Sequence, residues 1–419
     1  MGASDSTPRC DLAVVGAGIL GLAVARELLL RDPDLGVRVL EREDRVGVHQ
    51  TGHNSGVVHA GIYYAPGSLK ARLCVEGARE LYEFCERHAV PVERCGKVIV
   101  AVTADELPGL DALEWRGRQN GVPGLRRVDP DGLRELEPHA EGVAALHSPA
   151  TGIVDFPAVA RALARDLEDR GGRLQLGTEV TGVDSRASEV VLRTTGGDVA
   201  ARHAVFCAGA WSDRLAVAAG APADPRIVPF RGAYLRLRPE RRDLVRSLIY
   251  PVPDPSLPFL GVHLTRHIDG DVLVGPTALV VGARDAYRLR RISPRDVATT
   301  LAWPGTWRMG RRWWRTGLLE IAYAASRRAF VRAARRYVPD LEPGDVLPGP
   351  SGVRAQALSR DGALVDDFVI SQTGRAMHVR NAPSPAATSS LAIARLIADR
   401  AQEAFGLRPP GGRRGTDAA

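Results

Sequence analysis

The chain has 419 residues, of which 45% are hydrophobic and 25% are charged, and its net charge is +7. This length and balance predict a soluble globular protein of two or three structural domains, and no apolar run reaches the roughly 20 residues that span a bilayer. No nucleic-acid-binding motif accompanies the positive charge, so the charge favours an anionic small molecule or a membrane surface over nucleic acid.

The cysteines and the N-terminus indicate a compartment. The five cysteines are scattered, odd in number and without CxxC spacing. This pattern is typical of reduced thiols in a cytoplasm and argues against a zinc site or a disulfide framework. The first nine residues contain no signal-peptide core. The sequence therefore predicts a cytoplasmic protein, with peripheral attachment to the inner face of the cell membrane left open.

A glycine-rich turn near the N-terminus carries the clearest functional signal. A short apolar strand leads into the turn Gly16-x-Gly18-x-x-Gly21, and a helix is predicted to follow. Gly16 permits the tight turn, Gly18 lets the backbone approach a pyrophosphate, and Gly21 lets the helix pack on the strand. Glu41 ends a second strand twenty positions after Gly21, where a carboxylate can hold a ribose 2′-hydroxyl. Together these offsets predict a dinucleotide site.

Helices and strands alternate through the next part of the chain. Residues 70–88 predict an amphipathic helix, 98–102 a buried strand and 104–120 a further helix. A turn over 149–155 is predicted to lead into a helix over 157–170.

The chain then returns twice to the first domain. Residues 173–183, 190–193 and 204–211 predict strands that complete the nucleotide-binding sheet. From 226 to about 300, short alternating strands such as 233–237, 259–264 and 272–275 are separated by proline-rich turns. That pattern is typical of a mostly antiparallel sheet. A final helix is predicted over 386–404.

The predicted fold class is α/β, with a discontinuous Rossmann-type domain and an inserted, mostly antiparallel β-sheet substrate domain flanked by helices. The boundaries assign residues 10–70, 150–215 and 345–405 to the Rossmann-type domain, and residues 71–149 and 216–344 to the substrate domain. Residues 408–419 predict a disordered tail.

Residues 303–336 are rich in tryptophan and arginine. In their helical part, Ile321, Ala325 and Ala329 fall on one apolar stripe, and arginines four residues apart fall on another face. A solvated basic face over packed tryptophans explains this pattern. A surface that meets anionic lipid explains it equally well.

Six longer motifs extend over the chain from residue 11 to about 400. They are HQTGHNSGVVH at 49–59, GIYY at 61–64, YPVP at 250–253, FLGVH at 259–263, GVRAQA at 352–357 and NAPSPAATSS at 381–390. Together they resemble the L-2-hydroxyglutarate oxidase/dehydrogenase family of the FAD-dependent D-amino-acid-oxidase-like superfamily. Two positions depart from the usual pattern of that family: Ala233 replaces the glutamate of Arg-Gly-Glu-Tyr, and Thr277 replaces the asparagine of Gly-Pro-Asn-Ala.

The resemblance implies that FAD accepts a hydride at flavin N5 from a 2-hydroxy acid, with L-2-hydroxyglutarate as the expected substrate and 2-oxoglutarate as the product. A base must remove the hydroxyl proton, and the candidates are His53, His263 and His59, with His53 preferred.

Cations are needed to bind a dicarboxylate substrate. Arg354 stands where related oxidases place an arginine against the α-carboxylate, and a guanidinium binds a carboxylate through paired hydrogen bonds. Arg231, Tyr250 and Lys70 are the candidates for the distal carboxylate.

The glycine motif and the resemblance together predict the residues that contact FAD. These are Gly16, Gly18, Ile19, Gly21, Glu41, Arg42, Thr51, Gly52, Asn54, Ser55, Gly56, Val180, Ala208, Gly209, Trp211, Pro383, Ser384, Ala387 and Thr388.

Two other functions are compatible with the same fold. One is an amine or amino-acid oxidase of the same superfamily in a specialised biosynthetic pathway, which the departures at Ala233 and Thr277 would suit. The other is a flavin-binding or nucleotide-binding protein without catalysis. For the oxidoreductase, the electron acceptor is oxygen or a quinone, and residues 303–336 are the candidate membrane contact.

Overall fold

The computed structural model of the protein describes residues 9–257 and 259–408. The predicted disordered tail lies outside the described residues, except for Arg408.

The described residues form twenty strands: β1 (Arg9–Val15), β2 (Val37–Leu40), β3 (Val57–Val58), β4 (Val92–Glu93), β5 (Lys97–Ala101), β6 (Arg126–Val128), β7 (Ala144–Ser148), β8 (Gly152–Val154), β9 (Arg173–Gln175), β10 (Val180–Ser185), β11 (Val190–Thr194), β12 (Val199–Phe206), β13 (Arg226–Leu237), β14 (Leu248–Pro251), β15 (His263–Arg266), β16 (Val272–Gly275), β17 (Leu279–Val280), β18 (Val346–Leu358), β19 (Val369–Thr373) and β20 (Ala376–Asn381).

The same residues form eleven α-helices: α1 (Ile19–Arg31), α2 (Leu69–Arg87), α3 (Leu107–Gln119), α4 (Pro130–Leu136), α5 (Phe156–Asp169), α6 (Ser212–Ala218), α7 (Pro294–Leu301), α8 (Pro304–Arg312), α9 (Trp314–Ala325), α10 (Arg327–Ala334) and α11 (Ser390–Phe405).

The chain divides into two compact units. Of the described residues, the first unit contains those up to Thr51, residues 156–225 and those from Asp367 onward, and the second contains residues 52–155 and 226–366. These boundaries differ from the predicted ones, because residues 52–70, 150–155 and 345–366 belong to the second unit and residues 216–225 to the first. Strand pairing explains the difference: β3 pairs with β8, and β18 pairs with β13 along most of its length.

The first unit contains an eight-stranded sheet with a parallel centre. Strands β9, β2, β1, β12 and β20 lie side by side in this order and run parallel. The β10–β11 hairpin and β19 add antiparallel strands. Helix α1 packs against α5 through the Arg26–Asp166 ion pair and against α11 through Arg31 and Asp399. This arrangement confirms the Rossmann-type prediction.

The predicted strand over 173–183 is two strands in the structure. β9 pairs with β2, whereas β10 pairs with β11. Residues 176–179 carry the chain between these two positions of one sheet, so a single continuous strand was the wrong prediction.

The second unit contains a nine-stranded sheet in the order β17-β13-β16-β15-β14-β5-β7-β6, with β18 also paired to β13. All of its pairs are antiparallel except β14 with β5, which confirms the mostly antiparallel prediction. A separate small sheet joins β3, β8 and β4, so the segment predicted as a turn over 149–155 contains a strand. The strand predicted from 259 begins only at His263.

The predicted apolar stripe of residues 321–329 does not exist as one face. The helix ends at Ala325, and α10 starts anew because the Ser326 hydroxyl accepts a hydrogen bond from Ala329 N at 3.2 Å. Phe330 and Val331 of α10 are buried, whereas α9 contains no buried residue. Across the described residues, every helix is too short or too polar to cross a membrane.

Candidate active site

Two glycines of the turn in the first unit, Gly16 and Gly21, leave no room for a side chain. Gly16 has a φ of +104°, and a Cβ there would lie 2.6 Å from Cys207 O. A Cβ on Gly21 would lie 1.9 Å from Gly16 O, so β1 and α1 can approach each other only with glycine at this position. Gly18 is the N-cap of α1 and has no capping side chain, and Ile19 N donates to Thr51 Oγ1 at 3.0 Å. The start of α1 is thus a close-packed backbone site suited to a phosphate.

Glu41 faces this turn from the end of β2. Its side chain is buried, Oε2 accepts from Ala17 N at 2.7 Å, and Oε1 accepts from Glu43 N at 3.0 Å. A carboxylate has about four lone-pair sites. Two of them orient the group, and the others can accept from ribose hydroxyls.

Arg42 and Trp211 interact with each other in the first unit. The Arg42 guanidinium carbon lies 3.5 Å from the centroid of the Trp211 ring, and Arg42 also bonds to Glu43 and His49. A stacked guanidinium and indole form a rigid surface beside Glu41.

The N-terminus of α11 supplies polar groups that form no hydrogen bond with any described residue. Ser389 and Ser390 are fully buried, and within the described residues their hydroxyls make no hydrogen bond. Helix α11 starts at Ser390 rather than at the predicted 386, since residues 385–389 form turns. Buried orphan hydroxyls at a helix N-terminus fit the polar edge of a bound cofactor ring.

The predicted cofactor residues divide between the units. The second unit holds Gly52, Asn54, Ser55 and Gly56, and the first unit holds Gly16, Gly18, Ile19, Gly21, Glu41, Arg42, Thr51, Val180, Ala208, Gly209, Trp211, Pro383, Ser384, Ala387 and Thr388.

Two predicted bases of the second unit, His59 and His263, belong to one cluster with a residue that the sequence analysis did not select. Lys97, at the start of β5, is 1% exposed, and its Nζ lies 4.2 Å from the Tyr250 ring centroid and 5.0 Å from that of Tyr63. The rings of His263 and Tyr250 contact each other, with their centroids 4.1 Å apart. We call His59, Lys97, His263, Tyr63 and Tyr250 the basic cluster.

The electrostatics of the basic cluster follow from burial and mutual repulsion. Burial, with the nearby Lys97 charge, lowers the pKa of His59 to about 3 and that of His263 to about 4. Burial also lowers the pKa of Lys97 to about 7. The cluster therefore holds neutral imidazoles beside a lysine that titrates near neutrality.

Arg354 lies on β18, opposite Phe230 of β13. Its guanidinium carbon is 4.9 Å from the Phe259 ring centroid, and its charge acts on His263. Arg354 has accessible surface, yet surrounding protein desolvates the guanidinium and lowers its pKa.

The other predicted substrate residues already have protein partners. Lys70 Nζ donates to Asp366 O at 2.9 Å and to Asp366 Oδ1 at 2.7 Å. Arg231 Nε donates to the backbone oxygen of Tyr287 at 3.0 Å. His53, the preferred base, stacks on the Tyr287 ring at 3.8 Å.

The two departures from the family pattern contact each other. Ala233 N donates to Thr277 Oγ1 at 3.0 Å, and Thr277 N donates to Ala233 O at 3.0 Å. The two residues therefore form a single local change next to Tyr234. Burial raises the pKa of Tyr234 to about 12.

Comparison with known proteins identifies the class. Residues 11–400 match the family model described as "DAO: FAD dependent oxidoreductase". The fold resembles that of L-α-glycerophosphate oxidase from Mycoplasma pneumoniae with FAD bound, with a TM-score of 0.77, 22% identity and 97% of each chain covered. It also resembles glycine oxidase from Geobacillus kaustophilus, with a TM-score of 0.69, 22% identity and 95% of each chain covered. The protein is therefore an FAD-dependent oxidoreductase with FAD as its cofactor.

The chain belongs, within that class, to the L-2-hydroxyglutarate dehydrogenase family. It is 49% identical to the mitochondrial L-2-hydroxyglutarate dehydrogenase of Nematostella vectensis, covering 95% of this chain and 91% of that protein. Identity to the human mitochondrial enzyme is 46%, covering 96% and 91%. Identity to the L-2-hydroxyglutarate dehydrogenase of Indibacter alkaliphilus is 43%, covering 94% and 99%.

Proposed function

We propose that this protein oxidises L-2-hydroxyglutarate to 2-oxoglutarate and passes the electrons to oxygen or a quinone. The observation that carries the proposal is the grouping, within the second unit, of His263, Tyr250 and Lys97 in the basic cluster, with the charge of Arg354 acting on the same His263. A guanidinium and neutral basic groups together suit an anionic hydroxy acid, which needs charge neutralisation and a proton acceptor.

FAD, when bound, accepts the hydride that leaves C2 of the substrate. Backbone amides at the start of α1 would hold its pyrophosphate, and Glu41 its ribose. The buried hydroxyls of Ser389 and Ser390 would meet the polar edge of its ring.

Arg354 binds the α-carboxylate in this proposal. Its desolvated guanidinium presents paired N–H donors, and a planar fork fixes the orientation of a carboxylate as well as neutralising it. Holding the α-carboxylate fixes the orientation of the adjacent carbon C2, and with it the C2–H bond and the C2 hydroxyl group.

The His59–His263 pair removes the hydroxyl proton. His263 Nδ1 lies 2.9 Å from Gly261 O, which can only accept, so Nδ1 carries the ring proton and Nε2 is the basic nitrogen. Burial keeps the ring neutral and therefore able to accept a proton. A bound anion next to the ring raises its pKa and strengthens it as a base.

The exposed surface of α8 and α9 is proposed as a peripheral membrane contact, on the cytoplasmic face of the membrane. Trp314, Leu318 and Ile321 of α9 are more than half exposed and recur at helical spacing. Arg311, Arg312 and Arg315 lie beside them in the sequence. Exposed apolar residues rimmed by arginine suit anionic lipid, which would bring the enzyme close to a membrane quinone.

The decisive experiment is anaerobic reduction of the purified flavoprotein. Addition of L-2-hydroxyglutarate should bleach the oxidised flavin absorbance and yield 2-oxoglutarate in stoichiometric amount. D-2-hydroxyglutarate and a panel of amines and amino acids are the controls. Bleaching by an amine and not by L-2-hydroxyglutarate would refute the proposal in favour of an amine oxidase.

A further inference from the structure

Lys97 is a buried amine that forms no ion pair with any described residue. Within the described residues, its Nζ has no hydrogen-bond acceptor, and the groups closest to it are the faces of Tyr63 and Tyr250. Among the described residues, the acidic groups that bear on its pKa are the thiols of Cys74 and Cys95, whose own pKa values burial raises to about 12 and about 11. Burying an ammonium group in this way is costly unless an anion arrives to pair with it.

Tyr63 adds a second donor that lacks an acceptor. Its hydroxyl is buried, and no described residue bonds to it. Because the ring of Tyr63 lies 5.0 Å from Lys97 Nζ, the two groups belong to one small volume. An ammonium and a phenol without acceptors match the two oxygens of a carboxylate.

The position of His263 relates Lys97 to the α-carboxylate anchor. The positive charges of both Lys97 and Arg354 lower the pKa of His263. The Tyr250 ring connects Lys97 to His263, because its centroid lies 4.2 Å from Lys97 Nζ and 4.1 Å from the centroid of the His263 ring. A dicarboxylate bound to both cations would place its hydroxyl-bearing carbon close to the proposed base.

We propose that Lys97, assisted by Tyr63, binds the distal carboxylate of the substrate and makes the enzyme selective for dicarboxylic 2-hydroxy acids. This inference rests on the proposed function. It replaces the sequence-based candidates Lys70 and Arg231, since Lys70 is neutralised by Asp366 and Arg231 is bonded to a backbone carbonyl.

Steady-state kinetics of two variants with two substrates test the assignment. The substrates are L-2-hydroxyglutarate and L-2-hydroxybutyrate, which share the α-carboxylate but differ in the distal one. In Lys97→Met, the ratio of kcat/KM for L-2-hydroxyglutarate to kcat/KM for L-2-hydroxybutyrate should fall by about tenfold to a hundredfold, mainly through KM for the dicarboxylate, because any effect of the variant on the base is common to both substrates. In Arg354→Lys, both values should fall together, because both substrates carry the α-carboxylate.

Lys70→Met tests the alternative assignment, in which Lys70 binds the distal carboxylate. If it abolishes the preference for the dicarboxylate and Lys97→Met does not, the assignment of Lys97 is wrong. Flavin absorbance and far-UV circular dichroism of each purified variant establish that it is folded and loaded.

A binding experiment without turnover provides a second readout. Glutarate carries both carboxylates but no hydroxyl to oxidise. Because a bound carboxylate raises the pKa of a neighbouring ammonium, glutarate binding at about pH 8 should take up protons, up to about one per site. Calorimetry in buffers of different ionisation enthalpy measures this uptake. The pKa of Lys97 responds to Cys74 and Cys95, and the other titratable groups of the cluster are His59, His263, Tyr63 and Tyr250.

The two experiments separate the possible failures. Proton uptake that disappears in Lys97→Met supports the assignment, and uptake or glutarate affinity that is unchanged in this variant overturns it. If the wild-type flavin is not reduced by any 2-hydroxy acid, the proposed function fails, and glutarate binding still decides whether Lys97 is a carboxylate site.

Discussion

His53 and His263 share one hydrogen-bonding arrangement. In each ring Nδ1 lies within 3.0 Å of a backbone carbonyl, Ser351 O for His53 and Gly261 O for His263. Nε2 is therefore the basic nitrogen in both. Their surroundings differ, because His53 is exposed and stacks on Tyr287, whereas His263 is buried among charged groups. The surroundings, rather than the tautomer, favour His263 over His53 as the base.

The proposal predicts a ranking of three glutamine variants. His263→Gln and His59→Gln should slow flavin reduction by L-2-hydroxyglutarate by about 100- to 10,000-fold, the range expected for loss of a general base. His53→Gln should retain most of the rate. Anaerobic stopped-flow absorbance measures the step directly, and flavin content serves as the control. A large loss confined to His53→Gln would restore the original preference for that residue.

The sequence predicted the glycine turn and Glu41 because their roles depend on residues close to them in the chain. It did not predict Lys97, whose neighbours come from the loop after β3 and from β14 and β15, far away in sequence. One signal was present: the chain has only two lysines, and Lys97 begins an apolar strand. Lys70 and Arg231 were selected by charge alone, and their partners Asp366 and Tyr287 could not be recognised from spacing.

Helices α8 and α9 expose several large apolar side chains to solvent. Trp307 is 62% exposed, Trp314 56% and Leu318 57%. The opposite side of α9 is held by Glu320, whose carboxylate accepts from Ala278 N at 2.6 Å. The apolar face is thus fixed in orientation, as a lipid-binding helix requires.

Vesicle binding tests this surface. Wild-type protein should co-sediment at low salt with phosphatidylcholine vesicles containing about 30% phosphatidylglycerol, and high salt should weaken the binding. Leu318→Glu should reduce the bound fraction about tenfold or more, because it removes apolar burial and adds a charge repelled by the lipid. Trp115→Ala is the matched control, since Trp115 of α3 is equally exposed elsewhere in the second unit. Equal binding of wild type and Leu318→Glu would refute the membrane contact.

The sequence predicted α2 and α5 to within one residue at each end, whereas α3 begins three residues after the predicted start at 104. The prediction failed between α9 and α10, where Ser326 provides a cap inside an apparently continuous pattern. It also failed for β8, whose three residues are too few to show an alternation.

Several histidines are buried in a form that cannot readily be protonated. Burial is the main cause of the low pKa of His59, about 3, and of His263 and His378, about 4. His378 is fully buried in the first unit, where its Nε2 lies 2.7 Å from Thr373 Oγ1. In the unfolded chain these rings titrate near pH 6.5.

This difference in pKa between the folded and unfolded chain predicts that the protein loses folding stability on acidification at pH values above those at which carboxylates titrate. The stabilising contribution is complete above about pH 6.5 and is lost as the pH falls below it, because the unfolded chain then binds protons that the folded chain excludes. Each such ring should cost about 1.4 kcal/mol per pH unit. Melting temperatures followed by tryptophan fluorescence between about pH 7 and pH 5 measure the slope.

His378→Gln provides the internal comparison. It removes one of the rings whose pKa burial lowers, so its melting temperature should fall less steeply with decreasing pH than that of the wild type. Glu137 and Glu320, whose pKa values burial raises, contribute with the opposite sign but are common to both proteins and cancel. Parallel slopes would show that His378 is protonated in the folded state.

The pairing of β20 with β12 has a consequence for biosynthesis. Ala376 lies in register with Ala204, so an inner strand of the parallel sheet is translated after more than a hundred residues of another unit. The sheet, and with it the polar start of α11, is completed only when nearly the whole polypeptide has left the ribosome. We therefore expect stable flavin binding only after the chain has been synthesised through α11, since earlier termination leaves the edge of β12 without β20.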